Sequence, residues 1–186
     1  MEFSAKFEEG LSYSEFLSMY GNDEHQRRWK AVFDEIRLTT AQTDLLASFV
    51  RDMKVLCVAG AWCGDCVNQC PIFAHFAAVT PHIQLRFFDR DAHPELAQEL
   101  GVCGAPRVPA VVFLSEDGHQ CGRYGDRTLS KYRQVATGLQ GTACPTGIAP
   151  PPGAELSAVV QDWLDEFERI HLILRTSGRL RKLHND

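Results

Sequence analysis

The sequence predicts an α/β protein: a central mixed β-sheet flanked by helices, with extra helices at both ends. Three observations carry this. Two short apolar runs, Val55–Ala59 and Gln84–Phe88, are separated by a helical stretch, which is the layout of a parallel strand pair. A third run, Ala110–Leu114, is followed by Asp117-Gly118, a tight-turn signal that sends His119–Tyr124 back antiparallel. On either side of this stretch the apolar residues recur at helical spacing.

Taken in order, Ser12 or Ser14 caps a helix through Tyr20, with Tyr13, Phe16, Leu17 and Tyr20 on one side. Gly21-Asn22-Asp23 is a turn and cap. Trp29, Val32, Phe33 and Ile36 then repeat at helical spacing. Thr39-Thr40 caps a third helix with Leu45, Leu46, Phe49 and Val50 as its apolar face. Three short one-faced helices cannot close a core alone, so residues 1–53 are expected to pack on the rest as an extension. Residues 54–138 carry the alternating elements. Strand 55–59 leads through Gly60 into helix 63–79, with Pro71 inside it and Pro81 beyond its end. After the second strand, 91–100 reads as a short helix capped near Asp91 or His93 and closed by Gly101. Leu129–Gly138 is the next helix. Residues 139–153, with Pro145 and Pro150-Pro151-Pro152, read as a stiff loop. The last segment, 154–186, reads as one C-terminal helix packed on the core. Leu156, Val159, Val160, Trp163, Leu164, Phe167, Ile170 and Leu174 form its stripe.

With 186 residues, the chain suits one decorated domain. A net charge of -5 gives no reason to expect a nucleic-acid partner. No apolar run nears the roughly 18 residues of a membrane span, and Met1–Lys6 lacks the layout of a secretory signal. The expected location is the cytoplasm. Seven cysteines, an odd and unevenly spaced set, argue against a secreted disulfide scaffold and for mostly free thiols.

One pair stands apart. Trp62-Cys63-Gly64-Asp65-Cys66 lies where the first strand meets a helix. Unpaired N–H groups and the helix dipole favour a negative sulfur on the first cysteine, and a thiolate is the nucleophilic form. Two intervening residues let the pair close a disulfide. A zinc reading would recruit Cys70 and His75, but structural zinc takes four ligands from converging segments, so no metal is expected. Cys70 reads as a small buried residue, with exchange with Cys66 as the alternative. Cys103 lies in the loop that leads toward Pro109, where a redox role is open. Arg86, Arg90, Arg107, Arg123 and Arg127 cluster near strand ends, either as a solvated surface or as a positive field around the thiols.

The cysteine pair after a buried strand, Pro71, Val108-Pro109 before the third strand, Asp117-Gly118 and Gly125 together resemble the thioredoxin superfamily over about residues 54–138. Within it, Trp-Cys-Gly-Asp-Cys, Arg90-Asp91 and Arg123-Tyr124-Gly125 look most like bacterial thioredoxin-family proteins with a Trp-Cys-x-Asp-Cys site and helical additions at both ends. The resemblance implies a thioredoxin-like fold and a thiol–disulfide oxidoreductase of protein or low-molecular-weight disulfides. Cys63 would attack and Cys66 resolve. Trp62 and Gly64 would flank the client, and Val108 would offer backbone beside a cis Pro109. It implies no bound cofactor beyond the Cys63–Cys66 disulfide, and an electron-donating reductase or small thiol as partner. The sequence departs at Cys57, where thioredoxins usually bury an acid, and at Asp65, where proline is commoner. Asp65 would either oppose a thiolate on Cys63 by like charge or accept a proton from Cys66. Ala110 follows Pro109 where thioredoxin has threonine. The competing reading is a non-enzymatic redox-sensing or partner-binding module.

Overall fold

The computed structural model describes residues 2–138 and 153–186. Its sheet comprises β1 (Met53–Ala59), β2 (Ile83–Asp89), β3 (Ala110–Ser115) and β4 (Gln120–Gly125), in the order β2-β1-β3-β4. β1 runs parallel to β2 and antiparallel to β3, and β3 antiparallel to β4. The mixed sheet and its flanking helices match the fold class predicted. The proposed C-terminal loop and Cys144 lie outside the described residues, except for Gly153.

The helices are α1 (Phe3–Phe7), α2 (Tyr13–Tyr20), α3 (Asp23–Glu35), α4 (Thr40–Ala47), α5 (Gly64–Val79), α6 (Pro94–Glu99), α7 (Leu129–Gly138), α8 (Gly153–Thr176) and α9 (Gly178–His184). Ser12 and Thr39 close capping boxes at α2 and α4, and the Asn22 side chain caps α3. These caps are local, so the sequence shows them.

The two faces of the sheet are covered unequally. Cys57, Phe87 and Phe113 point to a thick face. There α5 lies centrally, with Phe16 and Trp29 on Phe87 to one side and Phe167 on Phe113, Phe73 and Phe76 to the other. Phe16, Trp29, Trp163 and Phe167 have no exposed surface. The thin face carries α1 and α6: Phe7 lies under Lys54 and Arg86, Phe3 under Arg123, and Arg123 bonds Glu99. Leu11 exchanges both backbone hydrogen bonds with Phe87, at 3.0 and 2.7 Å, along the outer edge of β2.

Three local expectations need correction, and one helix adds to those picked out. Residues 1–53 read as a helical extension, and α1 is a further helix in it; it is five residues long with no side-chain cap, so its two buried phenylalanines form it through packing. Val50 is 54% exposed, because α4 ends at Ala47 and the chain turns its apolar face inward only through Leu46 and Phe49. α6 starts at Pro94 rather than 91; His93, one of the two cap candidates, is its N-cap but makes no side-chain cap bond, and Asp89 holds the turn before it, accepting from the Asp91 and Ala92 amides. The C-terminal segment is two helices: the Ser177 hydroxyl caps α9, so the chain breaks there.

Candidate active site

The site grows from the break after β1. Gly60 has no side chain because the Trp62 ring lies where a Cβ would stand, with ring atoms 2.8–3.0 Å from that position. Trp62 is 42% exposed, and the Arg90 guanidinium covers its ring at 4.4 Å. The Ala61 carbonyl accepts from the buried Trp29 indole at 2.8 Å. Cys63 then starts α5: it is the N-cap, makes no side-chain cap bond, and its carbonyl takes the Val67 amide. Its half-buried sulfur therefore sits at the open, positive end of the helix.

Opposite, the Val108–Pro109 peptide is cis and Val108 is buried. The Cys63 thiol donates to the Val108 carbonyl at 3.6 Å. Gly125 adopts φ 130°, and a Cβ there would stand 2.3 Å from the Pro109 carbonyl oxygen, so only glycine fits this wall. The structure thus brings Trp62, Cys63, Gly64, Cys66, Val108 and Pro109 to one place.

Cys66 lies beneath Cys63 with no exposed surface, and its sulfur accepts from the Gly60 amide at 3.4 Å. The two thiols are near enough to shift each other's ionisation. Two thiols in contact titrate as a unit. Burial pushes the Cys66 thiol up, but hydrogen bonds from Cys63, Cys70 and the Gly60 amide outweigh it and bring it down to about 6. Cys63 is held well above its ordinary value by its nearness to Cys66, and then by burial. Of the two, Cys66 gives up its proton more readily, rather than Cys63 as the helix N-terminus alone suggests.

Of the two roles weighed for Asp65, opposing a thiolate by like charge is the one the structure supports. Its carboxylate receives two hydrogen bonds from Arg127, at 2.9 and 2.8 Å, and the two side chains are 17% and 14% exposed. It still raises both thiols slightly through its charge. Arg107 pairs with buried Asp126 at 3.3 Å, and the Tyr132 hydroxyl bonds the same carboxylate. So the arginine cluster is neither bare surface nor a loose positive field. Arg127, Arg107 and Arg90 are engaged at the site rim, while Arg123 and Arg86 serve the thin face.

Sequence reasoning missed three residues that hold this region. Trp29 bonds Ala61. The Gln69 amide donates to the Asp65 carbonyl at 3.2 Å and the Asp126 carbonyl at 3.0 Å, while its oxygen accepts from the Trp163 indole at 2.9 Å. Trp163 was read only as core; a buried indole also needs an acceptor, and that was the available signal. Among the described residues no group of His, Cys, Asp or Glu could hold a metal ion. His75, the fourth zinc candidate, bonds the Phe33 carbonyl instead. Cys103 is exposed with φ 52°, and Cys121 lies on β4 bonded to the His119 carbonyl; neither joins the dithiol. No described helix is long and apolar enough to cross a membrane.

A family model described as thioredoxin matches residues 10–136. No curated protein matches the chain. Among solved structures, the chain is similar to a protein of unknown function, PA1234 from Pseudomonas aeruginosa. The TM-score is 0.72 at 18% identity, covering 91% of this chain and 96% of that one. It is also similar to an HIV epitope-scaffold, with TM-score 0.64 and 19% identity over 96% and 100% of the two chains. These likenesses show the fold, terminal helices included.

Proposed function

Because this chain belongs to the thioredoxin family, we propose that it is a thiol–disulfide oxidoreductase whose Cys63–Cys66 dithiol reduces disulfides in proteins or small molecules. The observation that carries this reading is the pair itself: one partly exposed sulfur at a helix N-terminus, hydrogen-bonded to the Val108 carbonyl beside it, with a fully buried partner thiol one turn below. Within the family we place it with the bacterial proteins that carry a Trp-Cys-x-Asp-Cys site, working in a reducing cytoplasm.

The chemistry follows from access. A client disulfide, R–S–S–R′, lies along Val108, against Trp62 and the Gly64 backbone. The Cys63 sulfur attacks one client sulfur as its proton passes to the Cys66 sulfur. The Cys63–S–R bond forms, and R′–S⁻ leaves and takes a proton from water. Cys66 then attacks Cys63 in turn. The Cys63–Cys66 disulfide forms, and R–S⁻ leaves with the proton that Cys66 gives up. Two electrons have moved to the client, which ends as two thiols. A reductase or small thiol restores the dithiol. The fixed dipoles at the helix N-terminus and the Gly60 amide stabilise sulfur charge throughout.

The test is turnover of a disulfide substrate with an external dithiol as electron supply. Cys63→Ser should abolish it. Cys66→Ser should stall it at a mixed disulfide on Cys63, detected by mass as a covalent adduct. If both variants reduce disulfides as fast as the parent, the proposal fails. If neither shows turnover or adduct while oxidation changes affinity for one non-covalent partner, the chain is a redox-sensing module.

A further inference from the structure

Behind Cys66 the sulfurs continue into the core. Cys70 is one helical turn on, on the same face of α5, and its nearness helps bring the Cys66 thiol down. The Cys57 sulfur, on β1, lies 3.9 Å from that of Cys70. Cys57, Cys66 and Cys70 all have no exposed surface. Four thiols thus form a row from the half-exposed Cys63 to the middle of the sheet. Cys57 has one further acceptor, the Val58 carbonyl at 3.8 Å.

We infer that Cys70, backed by Cys57, is a positioning residue for the resolving sulfur: its S–H supplies the inner hydrogen bond of Cys66 while Cys66 carries the charge that breaks the mixed disulfide. The inference rests on the dithiol reading above. The Cys70 proton has two possible acceptors, the sulfurs of Cys66 and Cys57. When Cys66 is charged, the row aligns outward, Cys57 donating to Cys70 and Cys70 to Cys66. Once Cys66 is bonded to Cys63, the row reverses, with Cys70 donating to Cys57 and Cys57 to the Val58 carbonyl. No bond to sulfur is made or broken in this inner pair. Burial pushes both inner thiols up, so they keep the protons they must donate. The other ionisable groups around the row are Cys63 at its mouth, Asp65 on α5, tied to Arg127, and Tyr13 of α2. Burial, then the nearness of Cys70 and Asp34, holds the Tyr13 hydroxyl protonated. None of these offers Cys66 a donor from within the core.

The experiment is stopped-flow reaction with excess chromogenic aromatic disulfide, in proteins where Cys103, Cys121 and Cys144 are serine. The first release of coloured thiol reports attack by Cys63, and the second reports resolution by Cys66. The pH midpoint of the second phase follows the Cys66 thiolate. Cys70→Ala should raise that midpoint by about one pH unit. Cys70→Ser, which keeps a donor, should restore most of it, and Cys57→Ala should give a smaller rise. A midpoint unchanged in Cys70→Ala, or equal shifts in Cys70→Ala and Cys70→Ser, overturns the inference and leaves the dithiol standing. Absence of a second release even with all four thiols present overturns the dithiol reading and this inference with it.

Discussion

The helices before the sheet and the helices after it reach the same motif by different means. On the N-terminal side, Trp29 of α3 bonds the Ala61 carbonyl directly, on the backbone just before Trp62. On the C-terminal side, Trp163 of α8 bonds Gln69, and Gln69 relays to the Asp65 and Asp126 carbonyls. One arm fixes the loop that carries Trp62 and Cys63. The other fixes the helix that carries Cys66 and Cys70, and ties it to the turn after β4. The difference teaches that the two thiols are held by separate supports, so attack and resolution should respond to different substitutions.

The largest effect that can break this comparison is loss of an aromatic anchor. Phe16→Ala in α2 and Phe167→Ala in α8 should each cost about 3–5 kcal/mol in a single denaturant transition. A separate early transition in Phe16→Ala would show the N-terminal layer to be an independent unit. Next come the indole hydrogen bonds. Trp29→Phe and Trp163→Phe keep a ring but orphan a buried acceptor, at about 1–3 kcal/mol each. Trp29→Phe should slow the first phase of disulfide reduction several-fold and leave the second alone, and Trp163→Phe should do the reverse. Equal effects on both phases would erase the distinction.

The pH dependence sharpens the same point. Cys66 is depressed to about 6 in the folded dithiol, against 9.0 for an ordinary cysteine. A depressed acid contributes stability that is full above its unfolded value and lost as pH falls through its folded one. The reduced protein should therefore melt progressively higher as pH rises from about 6 to about 9, and Cys66→Ser should lack that rise. The smallest effect is at the rim. Asp65→Asn removes a charge that opposes both thiolates, so their ionisation should move to lower pH. Loss of its pair with Arg127, which is not deeply buried, should cost about 1 kcal/mol or less in thermal melts.

What could be read in the sequence was what neighbours decide. Ser12, Asn22 and Thr39 cap their own helices, Asp117-Gly118 turns its own hairpin, and the α8 stripe is buried throughout as its period requires. The supports of the site were hidden because they join distant positions. Asp65 meets Arg127 across 62 residues and Gln69 meets Trp163 across 94, pairings that no local pattern encodes. Gln69 is polar and mid-helix, a residue type that is mostly exposed, yet it is 1% exposed. Ser177-Gly178 carries a cap signal, but the stripe running up to Leu174 led 154–186 to be read as one helix. Val50 failed for a simpler reason: hydrophobicity says a residue prefers burial, and the chain direction after α4 decides whether it gets it.

Leu11 has a consequence beyond ordering the first helices. An outermost strand with free amides and carbonyls invites a second molecule to add itself on. Here the middle of β2 is plugged by the chain's own segment through two bonds to Phe87, with Arg86 and Gln84 beside the plug. A neighbour seeking to extend the sheet must first lever that plug out, so the same stretch guards the protein against fibril growth.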